Sequence, residues 1–90
     1  MLHAVQIRAA RALLDWRQED LAGAAKVGIA TIRRIERHPG PAKGYFSTVS
    51  RIQQALERAG IRFIDSGAEG GIGVRLEHAK SQRKVQRPGK

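Results

Sequence analysis

The side chains best suited to recognise another molecule lie close together in the first half of the chain. Thr31 offers a hydroxyl group, and Arg33 and Arg34 each offer a planar guanidinium group. A guanidinium group can donate two parallel hydrogen bonds to O6 and N7 of guanine, or bind a phosphate oxygen. Ile29 and Ala30 have no side-chain donor but are suited to contact a thymine methyl group. This chemistry favours the base edges of a nucleic acid as the ligand.

These residues belong to the second of two short amphipathic patterns. In the first pattern Leu21 and Ala25 are four residues apart, and in the second Ile32 and Ile35 are three residues apart. Both spacings are typical of one apolar face of a helix. The few residues between the patterns allow only a tight turn. The spacing therefore predicts a helix-turn-helix over residues 18–36.

The motif resembles the DNA-binding domain of the Xre family, the phage repressor and Cro class. The resemblance covers about residues 4–60. The matching positions are Gln18, Leu21, Ala22, Val27, Thr31, Ile32, Ile35 and Glu36. Lys26 stands where the family usually has glycine, so we expect a left-handed lysine at a cost of about 1 kcal/mol. Gly28 replaces the usual serine or threonine cap and is itself a tolerable N-cap.

The resemblance also implies roles for individual residues. Arg11 is similar to the family's arginine that forms a structural ion pair with the glutamate, here Glu36; a solvated arginine is the alternative. Gln18 is similar to the glutamine that contacts the DNA backbone and supports the next helix. Arg34 would meet base edges, and Arg33 would lie nearer the phosphates. Further contacts with the DNA backbone are expected from Arg17, Lys43, Gly44, Ser47 and Thr48.

The net charge of +9 is distributed unevenly along the chain. Residues 1–44 have 8 basic and 4 acidic side chains, residues 45–76 have 4 and 3, and residues 77–90 have 5 and 1. The basic excess therefore lies in the motif half and the tail, which favours a polyanionic partner. Nonspecific nucleic-acid binders carry similar charge, so charge alone does not select DNA.

Two further helices are predicted around the motif. A stripe of Ile7, Ala10 and Leu14 predicts a helix over residues 4–15, with Trp16 filling the core at the corner behind it. After a loop over residues 38–46, a second stripe comprises Val49, Ile52, Leu56 and Ala59. Ser47 or Thr48 is placed to cap this last helix, and Gly60 is placed to end it.

Beyond Gly60 the apolar residues alternate with a period of two, which predicts a β-hairpin over residues 61–76. A two-stranded hairpin needs packing against something else, and its open edge suits pairing with a second subunit. We therefore expect a dimer interface made by Ile61, Phe63, Ile64, Ile72, Val74 and Leu76. The basic tail over residues 77–90 is expected to be disordered, and binds phosphates or only aids solubility.

Several functional classes find no support in the sequence. The chain has no cysteine, its three histidines lack metal-ligand spacing, and its glycine-rich segment lacks a Walker lysine. No acid–base pair with a third orienting group can be identified. No apolar run approaches the roughly 18 residues that a membrane span needs. We expect no enzyme activity, no cofactor, no metal and no membrane association.

Together these features predict a mainly α fold. It would be a lambda-repressor-like bundle of four to five helices over residues 1–60, with a C-terminal β-hairpin. The expected function is a sequence-specific DNA-binding regulator, a dimeric repressor that recognises an inverted repeat in double-stranded DNA. The alternative is a small antitoxin or antiactivator that acts mainly on a protein partner, a toxin or an activator. Either protein is expected in the cytoplasm of a bacterium, from a bacterial or phage gene, and at the nucleoid when bound to DNA.

Overall fold

The chain forms four helices and then one β-hairpin in the computed structural model, which describes residues 2–77. The elements are α1 (Ala4–Leu14), α2 (Gln18–Ala25), α3 (Ile29–Arg37), α4 (Phe46–Arg58), β1 (Ile61–Ile64) and β2 (Gly73–Leu76). This confirms the prediction of a small, mainly helical fold with a C-terminal hairpin. The predicted disordered tail lies outside the described residues, except for Glu77.

The helices end where the sequence leaves the helical conformation. Asp15 and Lys26 adopt left-handed geometry, with φ of 57° and 58°, and end α1 and α2. The left-handed lysine was expected from the sequence. His38 is extended because it precedes a proline, and it ends α3. Gly60 follows α4 with φ of 107°, in the role predicted for it.

The start of α4 differs from the prediction. Ser47 and Thr48 do not cap this helix, because its first helical residue is Phe46 and its N-cap is Tyr45. The amide of Val49 donates to the carbonyl of Tyr45 at 3.1 Å, which closes the first turn. Gly44, at φ of 155°, provides the change of chain direction before the two hydroxyl residues are reached. Both hydroxyls therefore belong to the first turn of α4.

The core is shared by all the elements. The helix α1 lies against α3, α4 and β2, and α2 lies against α3 and α4. The largest fully buried side chains are Ile7, Leu21, Ile32, Ile35, Ile52 and Leu56. Trp16 is 6% exposed and belongs to the same cluster, as predicted. The inner face of α3 is thus fixed by contacts with the rest of the helical bundle.

The hairpin is antiparallel and pairs Ile61 with Leu76 and Phe63 with Val74. Its second strand begins at Gly73, one residue after the start of the predicted apolar run at Ile72. Phe63, Val74 and Leu76 are partly buried against the core, and Ile61 is 3% exposed. One face of the hairpin therefore completes the core of its own chain.

Gln6 connects α1 to the hairpin. Its side chain is buried, and its Nε2 donates to the carbonyls of Ile64 at 3.2 Å and Gly73 at 2.9 Å. Its Oε1 accepts a hydrogen bond from the amide of His3 at 2.9 Å. We call these contacts the Gln6 link. It joins the first turn of α1 to the loop end of the strand pair.

Candidate functional site

The turn between α2 and α3 is closed by backbone hydrogen bonds. The amide of Val27 donates to the carbonyl of Ala22 at 3.0 Å. Gly28 is the N-cap of α3, and its carbonyl accepts from the amides of Thr31 at 3.1 Å and Ile32 at 3.2 Å. Every residue of this short connection is therefore held in place, so α3 has a fixed orientation relative to α2.

The two faces of α3 differ sharply. Ile32 and Ile35 are fully buried, whereas Arg33, Arg34 and Arg37 are exposed. The predicted base-reading residues at the start of the helix are also accessible in part: Ala30 is exposed, and Ile29 and Thr31 are half-buried. The helix thus presents guanidinium groups to the outside from a backbone that is anchored from the inside.

A buried ionic cluster anchors that inner face. Glu36 is 4% exposed, and its carboxylate accepts from Arg11 Nε at 2.7 Å and Arg11 Nη2 at 2.8 Å. Gln18 Nε2 donates to the same carboxylate at 3.0 Å. We call Arg11, Gln18 and Glu36 the Glu36 cluster. It connects α1, α2 and α3 through one side chain, and the two residues predicted as a structural ion pair are in direct contact.

Two further arginine contacts extend this cluster. Arg11 Nη1 donates to the carbonyl of Trp16 at 3.1 Å, and Arg8 Nη1 donates to the backbone carbonyl of Glu36. Arg8 therefore satisfies a carbonyl in the last turn of α3, which a helix leaves without an internal partner. Arg8 and Arg11 stabilise the position of α3, whereas the arginines of α3 itself remain available to a ligand.

An open groove of about 360 Å³ runs between α3 and the start of α4. It is lined by Thr31, Arg34, Ile35, Gly44, Tyr45 and Thr48. Two residues predicted to read bases and two predicted to contact the DNA backbone thus share one surface. The threonine hydroxyls and the Arg34 guanidinium share the groove with the exposed side chain of Tyr45, so the groove offers both polar and apolar contacts.

The other predicted backbone contacts surround this surface less closely. Lys43 and Ser47 are exposed but are not among the residues that line the groove. Arg17 is the N-cap of α2, and its guanidinium is largely exposed. Its backbone amide donates to Asp20 Oδ2 at 2.8 Å, which fixes the start of α2. Arg33 does not line the groove, so the neighbouring arginines of α3 face different surroundings.

The predicted dimer residues do not form one exposed patch. Ile64 is 39% exposed, whereas Ile61 is buried in the core of its own chain. Ile61 is thus covered by its own chain, and its place in a subunit interface stays a prediction. Phe63, Val74 and Leu76 are also partly covered within the chain, so the accessible apolar surface of the hairpin is small.

Sequence reasoning missed two features of the site. Tyr45 and Phe46 are 83% and 87% exposed and are the most exposed large hydrophobic residues in the described part of the chain. They fell within the predicted loop over residues 38–46, and no role was assigned to them. Gln6 was missed because its partners are backbone carbonyls, which leave no signal in residue types.

No cluster of three or more potential metal-ligating side chains occurs within residues 2–77. None of the helices described is long and apolar enough to cross a membrane. Comparison of the chain with protein-family models, curated proteins and solved structures found no match. Its function must therefore be argued from the geometry of α3 and its surroundings.

Proposed function

We propose that this chain is a sequence-specific regulator of transcription that binds double-stranded DNA through a helix-turn-helix of the Xre type. In this proposal α2 and α3 are the two helices of the motif, and α3 enters the major groove. The observation that carries the proposal is the contrast between the two faces of α3. Its inner face is fixed by buried isoleucines and the Glu36 cluster, while its outer face presents three arginines.

The surrounding charge supports a polyanionic ligand. Between Leu21 and Leu56 the basic residues are Lys26, Arg33, Arg34, Arg37, Lys43 and Arg51. Glu36 is the sole acidic residue of that stretch, and its charge is buried and paired with Arg11. A phosphate backbone that approaches this segment meets no exposed carboxylate from it. Glu19, beside Gln18 at the start of α2, is exposed and lies just outside the segment.

Each part of the site would then have a distinct task. Arg34, with Thr31, would contact base edges, and Ile29 or Ala30 would contact a thymine methyl group. Arg33 would bind phosphate. Phosphates on either side of the groove would be held by Gln18, Arg17, Lys43, Gly44, Ser47 and Thr48. Gln18 would both contact the DNA backbone and support α3, because its Nε2 already donates to the Glu36 carboxylate at 3.0 Å.

We further propose a homodimer that represses transcription from an inverted repeat. Two copies of α3 would enter successive major grooves about 34 Å apart. The exposed Ile64 of the hairpin is the residue best placed to take part in subunit contact. Removal of the whole hairpin would expose core residues of the monomer, so Ile64→Glu is the better test. Light scattering should show a monomer; an unchanged dimer would place the interface elsewhere.

The decisive experiment is a selection from random double-stranded DNA with the purified protein. We expect the recovered duplexes to share an inverted repeat and to bind at least a hundredfold more tightly than scrambled duplexes of the same length. A pool without any common sequence, bound with the same affinity as the input, would contradict sequence-specific binding. The protein would then be a nonspecific nucleic-acid binder.

A protein-binding antitoxin or antiactivator is the second candidate. The observation that favours it is the outer face of the hairpin, where Ile64 is exposed close to Arg62 and Arg75. An acidic partner with an apolar residue at its centre would fit such a surface. Ile64→Glu should then abolish the inhibition of the toxin or activator in cells. The affinity of each protomer for DNA should remain unchanged.

A further inference from the structure

Tyr45 and Phe46 form an exposed aromatic pair at the start of α4. The two residues are 83% and 87% exposed, compared with 50% for Val5 and 39% for Ile64, the other large hydrophobic residues exposed within residues 2–77. Such side chains lose the favourable free energy of burial when they stay in water. Two adjacent aromatic residues at this level of exposure indicate a surface that another molecule covers.

The aromatic pair lies directly beside the proposed DNA site. Tyr45 lines the groove of about 360 Å³ together with Thr31 and Arg34 of α3. Phe46 is the next residue in the chain and the first residue of α4. Lys43 precedes the pair by two positions and is exposed. A ligand that reaches Arg34 through this groove therefore also reaches Tyr45, and Phe46 follows Tyr45 as the first residue of α4.

The charge around the pair selects the kind of ligand. The nearest exposed charges along the chain are basic, from Arg37 and Lys43 before the pair to Arg51 after it. If the apolar surface of a neutral protein or of a second copy covered the rings, it would remove water from these cations and offer them no opposite charge. Double-stranded DNA offers phosphates to the cations and apolar deoxyribose and base edges to the rings.

We propose that Tyr45 and Phe46 are apolar contacts of the DNA site. Their rings lie against deoxyribose and the exposed edges of the bases, next to the phosphates bound by Lys43 and by the groove. The Tyr45 hydroxyl group can also donate to a phosphate oxygen, whereas Phe46 has no polar side-chain atom. This inference rests on the proposed function, and it adds a contact that does not depend on charge.

The dependence of affinity on salt tests the inference. Loss of a phosphate contact lowers the slope of log affinity against log salt by about 0.9, because fewer counterions are released. Loss of an apolar contact lowers affinity without a change of slope. We therefore expect Phe46→Ala to weaken binding roughly 5- to 30-fold at every salt concentration, as for a ring that is largely buried on binding. Lys43→Ala should instead flatten the slope.

The measurement is a titration of each variant against the duplex recovered by selection and a scrambled duplex of equal length. Val5→Ala is the matched control, because it truncates an exposed apolar side chain on α1; its affinity should equal that of the unmodified protein. Tyr45→Phe should retain more affinity than Tyr45→Ala. Melting temperatures of the variants should not change, since both aromatic side chains are exposed.

Three outcomes would overturn the inference. Unchanged affinity of Phe46→Ala, with tight binding by the unmodified protein, would refute the aromatic contact and leave the proposed function intact. A dimer that becomes a monomer in Phe46→Ala, with affinity per protomer unchanged, would assign the rings to a second copy of the chain. Failure of the unmodified protein to bind any duplex would refute both proposals.

Discussion

Two buried polar side chains hold the parts of this molecule together, and they differ in charge. Glu36 is ionic, accepts hydrogen bonds from Arg11 and Gln18, and joins three helices. Gln6 is neutral, bonds only to the backbone, and joins α1 to the hairpin. Loss of the acid leaves a partly buried guanidinium without its partner, whereas loss of the amide leaves carbonyls that water can partly reach. Substitutions of the two side chains should therefore destabilise the fold to different extents and in different regions.

Removal of the Glu36 carboxylate should have the largest effect. Glu36→Ala leaves the charge of Arg11 without its partner, and we expect a loss of about 3–5 kcal/mol of unfolding free energy. Denaturant unfolding measures this loss, with Glu69→Ala as the control because Glu69 is exposed. Replacement of both partners, as in Arg11→Met with Glu36→Leu, should recover part of it. If Glu36→Ala were as stable as the control Glu69→Ala, the charge of Glu36 would contribute nothing to stability.

Removal of the Gln6 amide should have a smaller and more local effect. Gln6→Ala removes two donors to the hairpin, and we expect a loss of about 1–3 kcal/mol. Hydrogen exchange should become faster at the amides of β1 and β2 and should change little in α2 and α3. Gln54→Ala is the control, since Gln54 is exposed and bonds only to Ser50 within α4. Uniformly faster exchange across the chain would show that the hairpin is not a separate unit.

The exposed arginines test whether the Glu36 cluster positions a reading surface. Arg34→Ala should remove the preference for one base pair in each half-site, worth about 1–3 kcal/mol. Arg33→Ala should weaken all duplexes similarly and flatten the salt dependence. Titrations with operator and scrambled duplexes at several salt concentrations separate the two results. If Arg34→Ala weakens both duplexes by one factor, Arg34 binds phosphate together with its groove neighbours Gly44 and Thr48.

The turn that the Glu36 cluster supports contains a residue under strain. Lys26 is left-handed, so Lys26→Gly should stabilise the fold by up to about 0.6 kcal/mol, the relief of about 1 kcal/mol of strain less the greater entropy of unfolded glycine. A thermal melt measures the difference. Lys26→Ala keeps the strain and removes the charge, and it should not stabilise the protein. A gain of the same size in both variants would attribute the effect to charge.

The hairpin contains an unfavourable pair of like charges, whose effect on stability should be smaller. Arg62 and Arg75 are directly opposite each other on its exposed face, and like charges in such a pair are unfavourable. Arg75→Glu should therefore raise stability by about 0.2–1 kcal/mol at low salt. The gain should fall at high salt, where exposed charges are screened. A gain that does not depend on salt would have to come from packing.

The contrast between the two polar side chains also explains what could be predicted. The four helices follow from apolar spacing, and the pairing of Arg11 with Glu36 follows from the family resemblance. Gln6 lies between Val5 and Ile7 and resembles any polar residue on a helix. Its role depends on carbonyls 58 and 67 residues away in the sequence. Contacts that a side chain makes with distant backbone cannot be deduced from residue types.

The site shows the same limit at Tyr45 and Phe46. Apolar residues near the start of a helix are usually part of the core, and nothing in the local sequence indicates that these two are exposed. The helix α4 begins at Phe46, earlier than the hydroxyl residues suggest. The same early start moved Ser47 and Thr48 from the cap into the first turn.

Trp16 gives the molecule a built-in optical reporter. It is the single tryptophan of the chain, it is 6% exposed, and its carbonyl accepts from the guanidinium that also holds Glu36. Its fluorescence should therefore have the short-wavelength emission of an indole in apolar surroundings, and should shift to the red on unfolding. Because the ring belongs to the core and not to the exposed face of α3, the same signal should follow the folding of the core both with and without the proposed DNA ligand.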